Sequence, residues 1–203
     1  MRENPAKHIT PLEVEHWPRA LDGIVADMNG TPINVHQLMA HSPDLLAAWW
    51  NFRNHAVAGG SLGPHLGELV ILRVAVHLGA WYEWASHVDR AQKNGMATQT
   101  IFETLRAQPD LPKSENLVLT AVDELMADRG IRPSTRAQLE KHYSTAQIMD
   151  VIAIQGMYVI LGGFIKTWDL ALDDTVAHRI EAVTNRADFE RAAAEFRRAI
   201  QNP

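Results

Sequence analysis

Glu68-Leu-Val-Ile-Leu-Arg-Val-Ala-Val-His-Leu-Gly-Ala-Trp-Tyr-Glu-Trp-Ala-Ser-His87 is the stretch that decides the fold, and it lies in a chain without a single cysteine. Its first half is apolar almost all round and reads as a helix opened by Pro64 and carrying Glu68 to about Leu78. Gly79 is a natural break. The second half reads as another helix, from about Ala80 to Asn94, closed by Gly95. Glu83 and His87 are one helical turn apart on it, so they share a face. A fold-back at Gly79 would bring Glu68 to the same place. Two acids and an imidazole could then converge against a core, with Trp81, Tyr82 and Trp84 as aromatic walls.

Strand signals are nearly absent outside this stretch, while helix periods and caps recur. Short helices are expected at 19–28, ended by Asn29-Gly30, and at 35–40. Ser42-Pro43 opens a helix to about Ala58, stopped by Gly59-Gly60. A short helix at 98–105 is followed by a loop from Pro109 to Pro112. Ser114 should cap an amphipathic helix to Asp128, and Ser134 another to His142. Ser144-Thr-Ala-Gln147 has the form of a capping box. The helix it starts is apolar almost all round through Leu161 and is expected at the centre of the core, broken by Gly162-Gly163, with a further helix over 164–172. Asn185 can cap a final charged helix, solvated or facing a partner. The fold class is therefore all-α. The expected divisions are an arm and short helix over 1–34, the helical domain over 35–175, and a C-terminal helix within 176–203 that packs on the domain or on a partner subunit. The segments starting at Glu68 and at Asp150 echo one another faintly, each an acid followed by an apolar helix and a glycine.

Composition narrows the function. The 203 residues are 46% apolar and 21% charged, with a net charge of −5. The 19 basic residues are scattered, so no surface for tracking phosphates is expected and nucleic acid is excluded as a partner. The lack of cysteine removes disulfides, thiolate metal sites and thiol nucleophiles. No apolar leader opens the chain, and Arg73, His77, Gln155 and Lys166 interrupt the longest apolar runs. A cytoplasmic protein with no membrane partner is the expectation.

The spacing Glu68, Ala80, Glu83, His87 resembles the signature of the carboxymuconolactone decarboxylase and alkylhydroperoxidase D-like superfamily. In the thiol-dependent members the motif is Glu, eleven residues, Cys-x-x-Cys-x-x-x-His. Here the cysteine positions hold Ala80 and Glu83, so the chain is similar to the cysteine-free branch. The residues from His41 to Trp49, Leu117 to Leu125 and Tyr143 to Tyr158 resemble other parts of the family, and the likeness covers about 35–175. Gly67 and Asp150 depart from it, where relatives often have Arg and Glu. The resemblance implies an orthogonal helical array and a homo-oligomer.

The resemblance also implies an enzyme, a decarboxylase-type lyase or an isomerase, acting without cofactor on a small carbonyl, lactone or carboxylate substrate. Thiol peroxidase chemistry is excluded. Glu68, Glu83 and His87 are the expected catalytic residues. His87 would exchange the proton, Glu83 would orient it, and Glu68 would be a second acid or hold the substrate. Tyr82, Trp84, Arg73 and Tyr158 are the expected substrate-binding residues, with Arg73 either a carboxylate clamp or half of a structural ion pair with an acid such as Asp150. A Glu/Glu/His metal set is possible by donor type but lacks a further histidine in register, so no metal is expected. Two other readings stay open: a redox or peroxide-related accessory protein, and a non-catalytic binding protein with the same fold.

Overall fold

A computed structural model describes residues 9–58 and 60–201. Among these there are helices and turns and no strand. The helices are α1 (Asp22–Asp27), α2 (Asn34–Met39), α3 (Pro43–Val57), α4 (Pro64–Leu78), α5 (Trp81–Lys93), α6 (Thr98–Glu103), α7 (Lys113–Asp128), α8 (Pro133–Leu139), α9 (Thr145–Thr167), α10 (Asp174–Ile180) and α11 (Arg186–Gln201). The expectation of an arm over the first residues falls partly on 1–8, outside the described residues. From Ile9 onward the chain is tied down: Leu12 N donates to Gln37 O, and Trp17 is buried with its indole N–H on Leu12 O.

The centre of the molecule is α4. Every residue from Gly67 to Val76 is buried, including Glu68 and Arg73. Val70, Ile71 and Val74 face one apolar cluster, built with α3, α7 and α9. Leu69, Leu72, Ala75 and Val76 face a second cluster, built with α5 and α11. A helix sandwiched in this way needs no polar face, which explains its run of Leu, Val and Ile. Gly79 takes the left-handed conformation (φ 61°) that a side chain disfavours, and it turns the chain from α4 into α5.

Two expectations about α9 are corrected. Ser144 does form the capping box with Gln147, but Gly162-Gly163 does not break the helix, which continues to Thr167. Gly162 instead lets α4 come close: a Cβ there would collide with Leu78 Cδ1. Nor is α9 buried all round. Met149, Ile152 and Ile160 are exposed, so its outer face is apolar and open to solvent. By length and composition alone α9 could cross a membrane, but 44% of its most apolar window is buried in the bundle.

The caps expected from Ser114 and Ser134 are also absent. Their helices begin one residue earlier, at Lys113 and Pro133, without a side-chain cap. At the C-terminus, α11 is not merely solvated. It inserts Phe189, Ala193 and Phe196 into the second cluster and packs on α4 and α5.

Candidate functional site

Helix α5 is buried on two sides, and its sides differ in chemistry. One presents Tyr82, Glu83, Ser86, His87 and Arg90 to a cavity of about 60 Å³, closed by Arg53 of α3, His36 of α2 and Tyr158 of α9 among others. The other presents Trp84, Ala85 and Val88 to the second apolar cluster. Glu68 comes in from α4 beneath His87.

The geometry around His87 is specific. His87 Nδ1 is 2.6 Å from Glu68 Oε2, and Glu68 Oε1 is 2.9 Å from Arg90 Nε. Arg90 balances the charge of Glu68, so the Glu68 carboxylate accepts and the Nδ1–H donates. This leaves Nε2 as the atom presented to the cavity. Glu83 Oε2 lies 3.6 Å from it, within ion-pair range but beyond a hydrogen bond. The ring of Tyr158 stands edge-on to His87, with centroids 5.0 Å apart. The expected parts of the two acids are thus exchanged: Glu68 orients the imidazole, and Glu83 is the unengaged acid.

Electrostatics sharpen the difference between the acids. Glu83 is 4% exposed, and its Oε1 has no partner. Burial, and secondarily the charge of Glu68, pushes its pKa up to about 8, so Glu83 holds its proton at neutral pH. Burial and the nearby Glu83 and Glu68 also raise Tyr158 well above the ordinary tyrosine range. Burial, assisted by Arg53, lowers His36 to about 3, and it stands as a neutral ring with Nδ1 on Met28 Sδ at 3.1 Å.

Two residues expected at the site lie elsewhere. Arg73 is fully buried, but its partners are Asp123, at 2.7 Å through both Nε and Nη2, and the carbonyls of Thr104 and Arg106. It is a structural ion pair, with Asp123 rather than Asp150. Asp150 instead holds the α3–α4 loop, accepting from Ser61 N and Oγ at 2.6 Å and meeting His55 Nε2 at 2.7 Å. Trp84 stacks on Phe189 of α11, centroids 5.1 Å apart, on the far side of α5. One residue along a helix is a rotation of about 100°, enough to carry Trp84 away from Glu83.

Tyr82 lines the cavity with its ring, while its hydroxyl is committed, donating to Asp173 Oδ2 at 2.5 Å and accepting from Val35 N at 3.3 Å. Ala80, at the first cysteine position of the family motif, is buried near Gly162, whereas Glu83 at the second faces His87. Sequence reading missed Arg90, Arg53, Ser86 and His36. Arg90 was legible, since it lies one turn beyond His87 on the same face. Ser86 lies one turn beyond Glu83 on α5, whereas Arg53 and His36 come from packing of α2 and α3 that no local pattern announces.

Residues 43–121 match the carboxymuconolactone decarboxylase family model. No curated protein matches the sequence. Among solved structures, the core of an uncharacterised peroxidase-related alkylhydroperoxidase from Ralstonia eutropha JMP134 aligns with a TM-score of 0.73 at 15% identity, over 83% of this chain and 93% of that one. A peroxidase-related protein from Silicibacter sp. TM1040 gives 0.69 at 16%, over 87% and 97%. The debrominase Bmp8, in a cysteine-to-alanine variant bound to 2,3,4-tribromopyrrole, gives 0.71 at 15%, over 87% and 97%. At these identities the structural likeness speaks for the fold. Residues 43–121 of this cysteine-free chain, from α3 into α7, thus match the carboxymuconolactone decarboxylase family, and the helical fold around them is similar to that of the alkylhydroperoxidase-related structures.

Proposed function

We propose that this protein is an acid–base enzyme that works without a thiol, a decarboxylase-type lyase or isomerase for a small carbonyl, lactone or carboxylate compound. The observation that carries the reading is His87, fixed at Nδ1 by Glu68 and presenting Nε2 to a cavity beside a protonated Glu83. Loss of carbon dioxide from a 3-oxo acid leaves the bond's electron pair in an enolate. The Glu83 carboxyl and the Tyr158 hydroxyl are donors for the enolate oxygen, and protonated His87 delivers the proton to carbon. One proton is then taken up from solvent. In the isomerase direction neutral His87 Nε2 removes the proton first. The cavity beside His87 supports this reading over a sealed, non-catalytic cluster.

A panel of small 3-oxo acids and lactones, followed by carbon dioxide release and by deuterium entry from solvent, tests it. General acid–base catalysis is worth ~100- to 10,000-fold, so His87→Ala should lose that much. Full turnover in His87→Ala would end the proposal. The homo-oligomer implied by the family belongs to the same proposal. The exposed Met149, Ile152 and Ile160 of α9 support it, and light scattering reads it.

A further inference from the structure

The cavity beside His87 has more hydrogen-bond donors than its own residues use. Arg53 is half-buried in its wall. The guanidinium lies over the Trp50 ring at 4.9 Å and gives one hydrogen bond, to Asn54 Oδ1 at 3.0 Å. Among the described residues it has no carboxylate in ion-pair range. Asp27 attracts it from the Trp50 side, but that carboxylate is engaged by Trp50 Nε1 at 2.7 Å. Arg90, by contrast, is matched by Glu68. Ser86 Oγ and Glu83 Oε1 are both buried without a partner at the same cavity.

The charges can be tallied. Glu68 and Arg90 cancel. Glu83 holds its proton at neutral pH, and His36 is neutral. With the His87 ring neutral, Arg53 is left as the one positive charge on the cavity wall with no carboxylate in ion-pair range among the described residues, beside a space that admits about four water-sized groups, and a protonated His87 adds a second charge of the same sign. Withdrawing a guanidinium from water without a counter-charge is costly, and the group whose shape matches its fork is a carboxylate.

We infer that the cavity takes a compact monoanionic carboxylate, anchored by Arg53 and accepting hydrogen bonds from the Glu83 carboxyl and the Ser86 hydroxyl. The inference rests on the acid–base reading of the same site and moves the substrate clamp from Arg73 to Arg53. A cation would meet Arg53 head-on. The groups that face Glu83 and the ligand from each packed element are Glu68 of α4, Tyr82, His87 and Arg90 of α5, Tyr158 of α9, His36 of α2 and Arg53 of α3. When Glu83 ionises, near pH 8, a second negative charge enters the cavity. Carboxylate affinity therefore falls about tenfold between about pH 7 and about pH 9.

Isothermal titration of the whole protein with sodium acetate at fixed ionic strength tests this, with methylammonium chloride as the cationic probe. Acetate should bind near pH 7 and methylammonium should not. Arg53→Gln should weaken acetate by about tenfold or more, Arg53→Lys should weaken it by less than Arg53→Gln because the charge stays while the fork is lost, and Glu83→Gln should flatten the pH dependence. Equal acetate affinity in Arg53→Gln and the parent protein overturns the inference. So does methylammonium binding, or no acetate binding near pH 7. Because the titration needs no turnover, its failure is separate from a failure of the His87 experiment.

Discussion

Arg73 and Glu68 sit on the same buried helix, and each anchors an ionic cluster, but the two clusters are finished to different degrees. At Arg73 the matching is complete. Its guanidinium grips Asp123 with two hydrogen bonds and gives two more to carbonyls, His77 Nε2 meets Asp123 Oδ1 at 2.7 Å, and the Phe196 ring covers Arg73 at 4.2 Å. Burial works against the charge on Asp123, yet the bonds from Arg73 and His77 hold its pKa below the usual range. At Glu68 the matching stops halfway. His87 and Arg90 are satisfied through Glu68, but Glu83 Oε1 and Ser86 Oγ have no partner and border a cavity. A buried cluster with every polar atom paired is a fastening. One with donors left over has room for something else to pair with them.

The contrast can be broken by mutation. The largest effect should come from Asp123→Ala, which strands a fully buried guanidinium. Urea denaturation should show a loss of about 3–5 kcal/mol. A loss below about 1 kcal/mol would mean that the Arg73 cluster is no fastening.

Glu83→Gln should act in the opposite direction and with pH. In the folded protein the Glu83 pKa is about 8 against an ordinary 4.5, so the native state holds a proton that the unfolded chain releases between those values. Stability therefore falls as pH rises through that window. Glutamine has no charge to bury, so the variant should melt higher than the parent near pH 9, by several degrees, and lose most of that advantage near pH 5. A constant difference at both pH values would show that Glu83 is not held as a neutral acid.

The smallest effects separate the two tyrosines. Tyr82→Phe removes a bond to Asp173 and should cost about 1 kcal/mol of stability. Tyr158→Phe should leave stability within about 0.5 kcal/mol while slowing turnover. The reverse pattern would exchange their assignments.

The sequence carried the architecture well where local chemistry decides it. The break at Gly79, the capping box at Ser144 and the shared face of Glu83 and His87 are all short-range facts. It carried least where a helix is apolar on every side. For α4 and α9 periodicity vanishes, so nothing local says which one is central; the layout of the other helices decides that α4 is enclosed and α9 is at the edge. The same blindness misplaced Trp84 and Arg73. Both lie on helices buried on two sides, so each had two interiors to face. Arg53 and His36 were invisible because they reach the cavity only through the packing of α2 and α3.

Gly162 has one more consequence. It is where Leu78, the last residue of α4, presses against α9, three residues before α5 begins at Trp81 and carries the chain on towards Glu83. A methyl group at that position would meet the tip of the Leu78 side chain, at the C-terminal end of α4. The seam between the end of α4 and α9 is thus closed by a leucine methyl lying on bare backbone, a fit that any residue larger than glycine at 162 would have to reopen by turning the Leu78 side chain aside.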